Sequence, residues 1–169
     1  MIFKLFKEVF KPLNILIMNP NITVQEIMTA NPVTVQPNST LGEVRELFSR
    51  NSFHHVPVTG PNGNLVGIIS REDFFKVAYV LSVEATRAAN TKSRFQHLLA
   101  EDIMTKYPLQ LSPDDTVGLA ADIFLANKFH ALPIVEDGQL VGIVTAHDLL
   151  SYSFSSPIGE ELSVEEYEE

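Results

Sequence analysis

The chain has 169 residues, 45% of them hydrophobic and 20% charged, which is the make-up of a folded protein with a real core. Its net charge of −9 argues against non-specific binding of DNA or RNA, and its lack of cysteine excludes disulfides, thiolate nucleophiles and thiolate metal ligands. No apolar run is long enough to span a bilayer. Met1 to Met18 places Phe3, Phe6, Val9 and Phe10 on one helical face and Lys4, Lys7 and Lys11 on another. It lacks the long apolar stretch and the cleavage site of a secretory signal, so a cytoplasmic protein is expected. This amphipathic segment, residues 1–21, reads as a helix packed on the core or on a second copy, with a membrane surface as the sharper alternative.

Beyond it the chain is duplicated. Ile27-Met28-Thr29 returns as Ile103-Met104-Thr105, and Pro32, Pro37, Thr40, Gly42 and Phe48 return as Pro108, Pro113, Thr116, Gly118 and Phe124. In the first copy a short strand at Val33-Thr34-Val35 is stopped by Pro37. A helix follows with Leu41, Val44, Leu47 and Phe48 on one face, and Thr40 with Glu43 forms a capping box at its start. A second strand, His55 to Thr59, turns through Gly60-Pro61-Asn62-Gly63-Asn64 into a third, Leu65 to Ile69. The closing helix starts at Ser70, and Phe74, Phe75, Val77, Ala78, Val80 and Leu81 give it a nearly all-round apolar surface that predicts burial. Ser82 to Gln96 is more polar and reads either as a helical crossover or as a flap over a cleft.

The second copy repeats the order: a strand at Leu109-Gln110-Leu111, a helix with Val117, Ala120, Ile123 and Phe124 inward, then strands at Leu132 to Glu136 and Leu140 to Val144. It is one residue shorter, lost at the turn Glu136-Asp137-Gly138-Gln139. Neither unit is large enough to bury its sheet alone, so the two should pack on each other. The glutamate-rich end, Gly159 to Glu169, reads as a solvated tail.

Candidate chemistry concentrates at one junction. Leu65-Val66-Gly67-Ile68-Ile69-Ser70-Arg71-Glu72-Asp73 recurs as Leu140-Val141-Gly142-Ile143-Val144-Thr145-Ala146-His147-Asp148. Each copy places a hydroxyl at a helix N-cap and a carboxylate in the first turn, where it meets the positive end of the helix dipole. Such a strand end is a small polar site able to hold a sugar's hydroxyls; the plain reading is a cap and nothing more. No serine has a nucleophile-elbow glycine pattern, no His-x-x-x-His pair is present, and neither a phosphate loop nor a dinucleotide glycine fingerprint occurs. Catalytic residues and a metal site are therefore not expected.

Taken together, Ile27-Met28-Thr29, Pro32-Val33-Thr34-Val35, Phe53-His54-His55-Val56-Pro57-Val58, Leu65 to Ile69 and Ser70-Arg71-Glu72-Asp73, with their second copies, resemble a tandem pair of CBS (cystathionine β-synthase) domains, a Bateman module. The likeness implies an α/β (mixed α+β) fold of two β-α-β-β-α repeats packed as a pseudo-twofold pair. It divides the chain into CBS domain 1 at 22–81, a connecting segment at 82–98, CBS domain 2 at 99–153 and an acidic tail at 154–169. It implies a regulatory homodimer, not an enzyme, with no required cofactor and an unknown effector protein. Clefts between the repeats would take AMP, ADP, ATP, S-adenosylmethionine or a cyclic dinucleotide. The rival is a ligand-free interaction module that dimerises and docks a partner protein.

The resemblance also assigns roles to residues. Gly67, Ser70 and Asp73, and again Gly142, Thr145 and Asp148, match the family's ribose-binding signature. Its phosphate-binding positions fall on His54, His55 and His130, so affinity is expected to fall as pH rises through their titration. Arg71 would add a permanent charge at the first site where Ala146 adds none, making the sites unequal. Its adenine slot would lie beside Thr34 and Val35, or Gln110 and Leu111, with Met28 and Met104 as apolar walls. Each also has a plainer role: the acids as caps, the histidines as loop residues, the methionines as core, and the glycines as sites of tight packing.

Overall fold

The computed structural model describes residues 19–85, 97–127 and 129–154; the expected N-terminal helix, residues 86–96 of the connecting segment and the glutamate-rich tail lie outside the described residues. A 3-10 turn at Val24–Glu26 leads to β1 (Thr29–Ala30), α1 (Leu41–Arg50), β2 (His55–Thr59), β3 (Leu65–Ser70) and α2 (Arg71–Ala85). The same order returns as α3 (Ala100–Ile103), β4 (Thr105–Lys106), α4 (Val117–Ala126), β5 (Ala131–Glu136), β6 (Gln139–Thr145) and α5 (Ala146–Phe154). The mixed α/β architecture and the duplication are both present.

The expected capping box opens α1. Thr40 N donates to Glu43 Oε2 at 2.6 Å, and Thr40 Oγ1 accepts from Glu43 N at 3.3 Å. Leu41, Val44 and Phe48 are buried on its inner face, matched in α4 by Val117 and Ala120. The second hairpin turns through Asp137 and Gly138, both at positive φ as a two-residue turn of matching twist requires. The longer first turn accounts for the extra residue of that copy. The strands expected at 33–35 and 109–111 shrink to single parallel bridges, Val35 to Val58 and Leu111 to Ile134. Prolines 32 and 37, and 108 and 113, flank them; a ladder cannot lengthen through residues that lack an N–H.

The sheets show how the repeats depend on each other. One has the order β2-β3-β4 and the other β1-β6-β5, so each borrows its edge strand from the other repeat. Thr29 lies opposite Ile143 and Ala30 opposite Gly142, while Thr105 lies opposite Ile68 and Lys106 opposite Gly67. The cores are exchanged too. Ala100 of the second copy is buried with Val35, Leu41, Val44, Phe48, Val56, Val58, Ile69 and Phe74, and Val24 of the first is buried with Leu111, Val117, Leu132, Ile134 and Val144. Apolar burial stabilises by about 25 cal/mol per Å2, so neither core keeps its full stabilisation without the other repeat's segment.

The exchange explains two glycines. A Cβ on Gly67 would collide with Met104 Sδ and come within 2.8 Å of its Cγ; a Cβ on Gly142 would collide with Met28 Sδ. The methionines are packed against the cores in the space that the glycines leave, and they do not wall the cavity described below. One expectation about α2 fails. Phe74 is buried and Val77 and Ala78 are partly so, but Phe75 is 58% exposed, Tyr79 70% and Val80 55%. A helix lying on one sheet hides one face only, and this stripe points away from it.

Candidate functional site

Ser70 ends β3 and caps α2. Its Oγ accepts from Asp73 N at 3.0 Å and donates to Asp73 Oδ2 at 2.6 Å. Thr145 does the same for α5: its N and Oγ1 each donate to Asp148 Oδ2 at 2.7 Å, and its Oγ1 accepts from Asp148 N at 3.3 Å. The strand-to-helix junctions are thus built alike, each with a half-buried carboxylate held by a neighbouring hydroxyl.

The first junction opens into a cavity of about 790 Å3, within the usual size range for small-molecule sites. Ser70, Asp73, His54 and His55 line it from the first repeat, with Glu72 and Lys76 of α2. The facing wall comes from the second repeat: Thr105 of β4, then Tyr107, Pro108 and Leu109, and Phe129 and His130 ahead of β5. Strand exchange is what sets Tyr107 and Leu109 beside Asp73, because β4 lies alongside β3. Tyr107 is 88% exposed and sits at a φ of 51°, a left-handed conformation that is unusual for a bulky side chain. Its counterpart Asn31 has a φ of 49°, so the kink belongs to the repeat, while the aromatic ring belongs to this copy.

Charge in the cavity is mixed. Lys76 Nζ lies 3.0 Å from Glu72 Oε1 and 3.6 Å from Asp73 Oδ1, and the Glu72 hydrogen bond, with Asp73 assisting, holds its ammonium above the ordinary value. His55 behaves oppositely. Burial, with the neighbouring charges of His130 and His54, lowers it to about 4 despite the pull of Asp73. Among the described residues no group of three or more His, Asp or Glu side chains is arranged to hold a metal ion.

Arg71 lines the cavity and is also held by the fold. Its Nη2 donates to Phe48 O at 2.7 Å, Asn51 O at 2.7 Å and Phe53 O at 2.9 Å, and its guanidinium lies 5.5 Å from the Phe48 ring centre. The side chain ties the end of α1 to the segment carrying His54, and its backbone N donates to His54 O at 2.7 Å. It braces the cavity that it lines.

Of the residues singled out from sequence, His54, His55, Ser70, Arg71, Asp73 and His130 come together. Thr145 and Asp148 sit at the other junction. Thr34 and Val35 line a separate open recess with Glu43, Glu46 and Arg50, while Gln110 is exposed and Leu111 is buried in the second core. The cavity instead uses Leu109 and Tyr107, just ahead of that pair. Sequence reading missed them, with Thr105, Phe129 and Lys76, because it assigned each strand to its own repeat. The signal available was the repeated Ile-Met-Thr stretch, which proved to contain the exchanged strand.

The sequence family described as CBS domain matches residues 24–79 and 100–155. A homoserine O-acetyltransferase of Methanocorpusculum labreanum is 31% identical over 129 residues, 76% of this chain. The chain spans only 23% of that relative's length. Among solved structures, Arabidopsis thaliana CBSX2 in complex with AMP aligns with a TM-score of 0.65 and 28% identity, covering 79% of this chain and 96% of that one. A CBS domain pair in complex with 5′-methylthioadenosine and S-adenosyl-L-methionine aligns with a TM-score of 0.63 and 26% identity, covering 80% and 98%.

Proposed function

The chain belongs to the CBS domain family, and we propose that it is a regulatory pair of such domains whose inter-repeat cavity binds an adenosine-containing ligand of the AMP, ADP, ATP or S-adenosylmethionine class. The observation that carries this reading is the company kept by Asp73. A carboxylate with spare acceptor capacity, three imidazoles and an aromatic-apolar wall line one cavity of nucleotide size. In this reading Asp73 accepts the ribose diol while Ser70 keeps its cap, and Tyr107, Leu109 and Phe129 flank the base. The histidines meet phosphate. The similar structures holding AMP, or 5′-methylthioadenosine and S-adenosylmethionine, support the ligand class.

The units of this reading are residues 22–81 and 99–153, joined by 82–98. Ligand occupancy shifts the protein between states only by binding one of them more tightly, so the output is a change of conformation or association passed to another protein. No catalytic step is assigned to any residue. Association with a second copy is supported by equivalent apolar stripes, Phe75 with Tyr79 on α2 and Leu150 with Phe154 on α5, all exposed. A cytoplasmic site of action goes with this reading.

Calorimetric titration of the full chain with AMP, ADP, ATP and S-adenosylmethionine tests it. At least one ligand is expected to bind, and Asp73→Ala is expected to weaken it at least tenfold, about 1.4 kcal/mol. Asp148→Ala leaves the cavity intact and changes only binding at the second junction. Silence across the series from a protein that unfolds cooperatively would refute the nucleotide reading and favour the ligand-free interaction module.

A further inference from the structure

Three imidazoles share the cavity, and one of them is recessed. His55 opens β2 half-buried, while His54 and His130 stand exposed at equivalent places in the two repeats. Of the permanent cations nearby, Arg71 spends its Nη2 on three backbone carbonyls and keeps its Nε buried without a hydrogen-bond partner, and Lys76 is paired with Glu72 and Asp73. An anion entering here therefore meets imidazoles as its main uncommitted partners. We infer that the cavity takes the phosphate of its ligand together with a proton, held by His55 between His54 and His130. The inference rests on the nucleotide reading above and adds how pH regulates that site.

The physical argument is one of competing charges. Lining the cavity with His55 are His54 from the preceding segment, Asp73, Glu72 and Lys76 from α2, Arg71 at its start, His130 from the second repeat, and Ser70 and Thr105; of these, His130, His54 and Asp73 act on its charge. Burial and the two imidazoles outweigh Asp73 and keep His55 neutral at pH 7. A phosphate placed among these groups adds negative charge in a partly water-excluded space, and the balance reverses. The bound state then holds a proton that the free state lacks. Linkage fixes the sign: affinity falls as pH rises between the free and bound midpoints of His55, by up to about tenfold per unit. Adenosine, which has no phosphate, should show no such dependence.

NMR of the full chain with ring-labelled histidine, titrated between about pH 4 and 8, tests this with the protein alone, with adenosine and with AMP. The His55 midpoint is expected to lie at least about one unit higher with AMP than with adenosine. AMP affinity should fall severalfold as pH rises from about 4 through the bound midpoint of His55, and His55→Gln should bind AMP more weakly and flatten that slope. Because the variant meets the same AMP, ionisation of the ligand's own phosphate cancels in the comparison. A His55 midpoint that stays in place while other resonances report bound AMP overturns the proton linkage and leaves the nucleotide reading standing. Failure of both AMP and adenosine to bind overturns both.

Discussion

If each repeat completes the other's sheet, a glycine in one should be energetically coupled to a methionine in the other. Gly67→Ala tests this. The new methyl group collides with Met104 Sδ, comes within 2.8 Å of its Cγ and lies 3.1 Å from Thr105 O, so either the methionine or the β3–β4 pairing has to give. Overpacking of this kind costs about 1–3 kcal/mol. Met104→Ala alone should cost about 1–2 kcal/mol, below the usual range for a fully buried methionine because Met104 is only partly buried. In the double variant the alanine methyl occupies the space that the methionine vacates, so the costs should fall short of their sum by at least about 1 kcal/mol. Met28 is the control: it packs under Gly142 in the other core, and Gly67→Ala with Met28→Ala should add to within about 0.5 kcal/mol. Equilibrium unfolding in urea measures all five variants. Additivity for the Met104 pair, or equal coupling to Met28, would refute the exchange.

Other consequences are as easily measured. Arg71→Met keeps the apolar stem but leaves the carbonyls of Phe48, Asn51 and Phe53 without their donor; a loss of about 2–3 kcal/mol is expected, and less than about 0.5 would show the clamp to be unimportant. His55 titrates near 4 in the folded chain and near 6.5 when unfolded, so its neutral form favours folding fully above about pH 6.5, and that contribution is lost as pH falls towards 4. Allowing for solvent screening, His55→Gln should remove on the order of 1–2 kcal/mol of this acid-side loss, read from thermal unfolding of both proteins between about pH 4.5 and 7. Phe75→Glu with Tyr79→Glu should lower the mass in solution by light scattering without moving the unfolding midpoint of the isolated chain; an unchanged mass would show that the stripe does not join copies.

The fold was largely legible because duplicated punctuation carries it: paired prolines, paired caps and a glycine turn set the elements without any long-range information. Ser70 with Asp73, and Thr145 with Asp148, were legible for the same reason, since a cap is a contact over three residues. What escaped was non-local. Met28 and Met104 looked like walls of a slot, yet they are pinned beneath glycines of the opposite repeat. Arg71 looked like a free charge, yet carbonyls up to 23 residues earlier in the chain claim it. Thr34 and Gln110 looked like neighbours of the adenine because strands were assigned to their own repeats. The methionine and strand misses come from one event, the crossing of β1 and β4, that no local pattern encodes, whereas Arg71 is claimed by carbonyls of its own repeat.

The same crossing constrains how a ligand can act. His55, Ser70 and Thr105 belong to one hydrogen-bonded sheet, β2-β3-β4, and Asp73 follows Ser70 in the first turn of α2, so two walls of the cavity move together even though they come from different repeats. The wall built on the other sheet is Phe129 to Leu132, at the start of β5. At the far ends of these strands the hairpins touch: Asn64 bridges Gln139, and Leu140 N donates to Gly63 O at 3.2 Å. β3 runs from that contact to the cavity and β5 from the cavity towards it, over roughly 17–20 Å. The sheets are therefore fastened at their tips and separated by the cavity at the other end. A ligand that touches both Asp73 and His130 spans the separated ends, where a small rotation about the tips gives the largest displacement. Asp148 stands in the first turn of α5, behind the other sheet's β6 and outside this cavity, so the two repeats, alike in sequence, place their carboxylates differently.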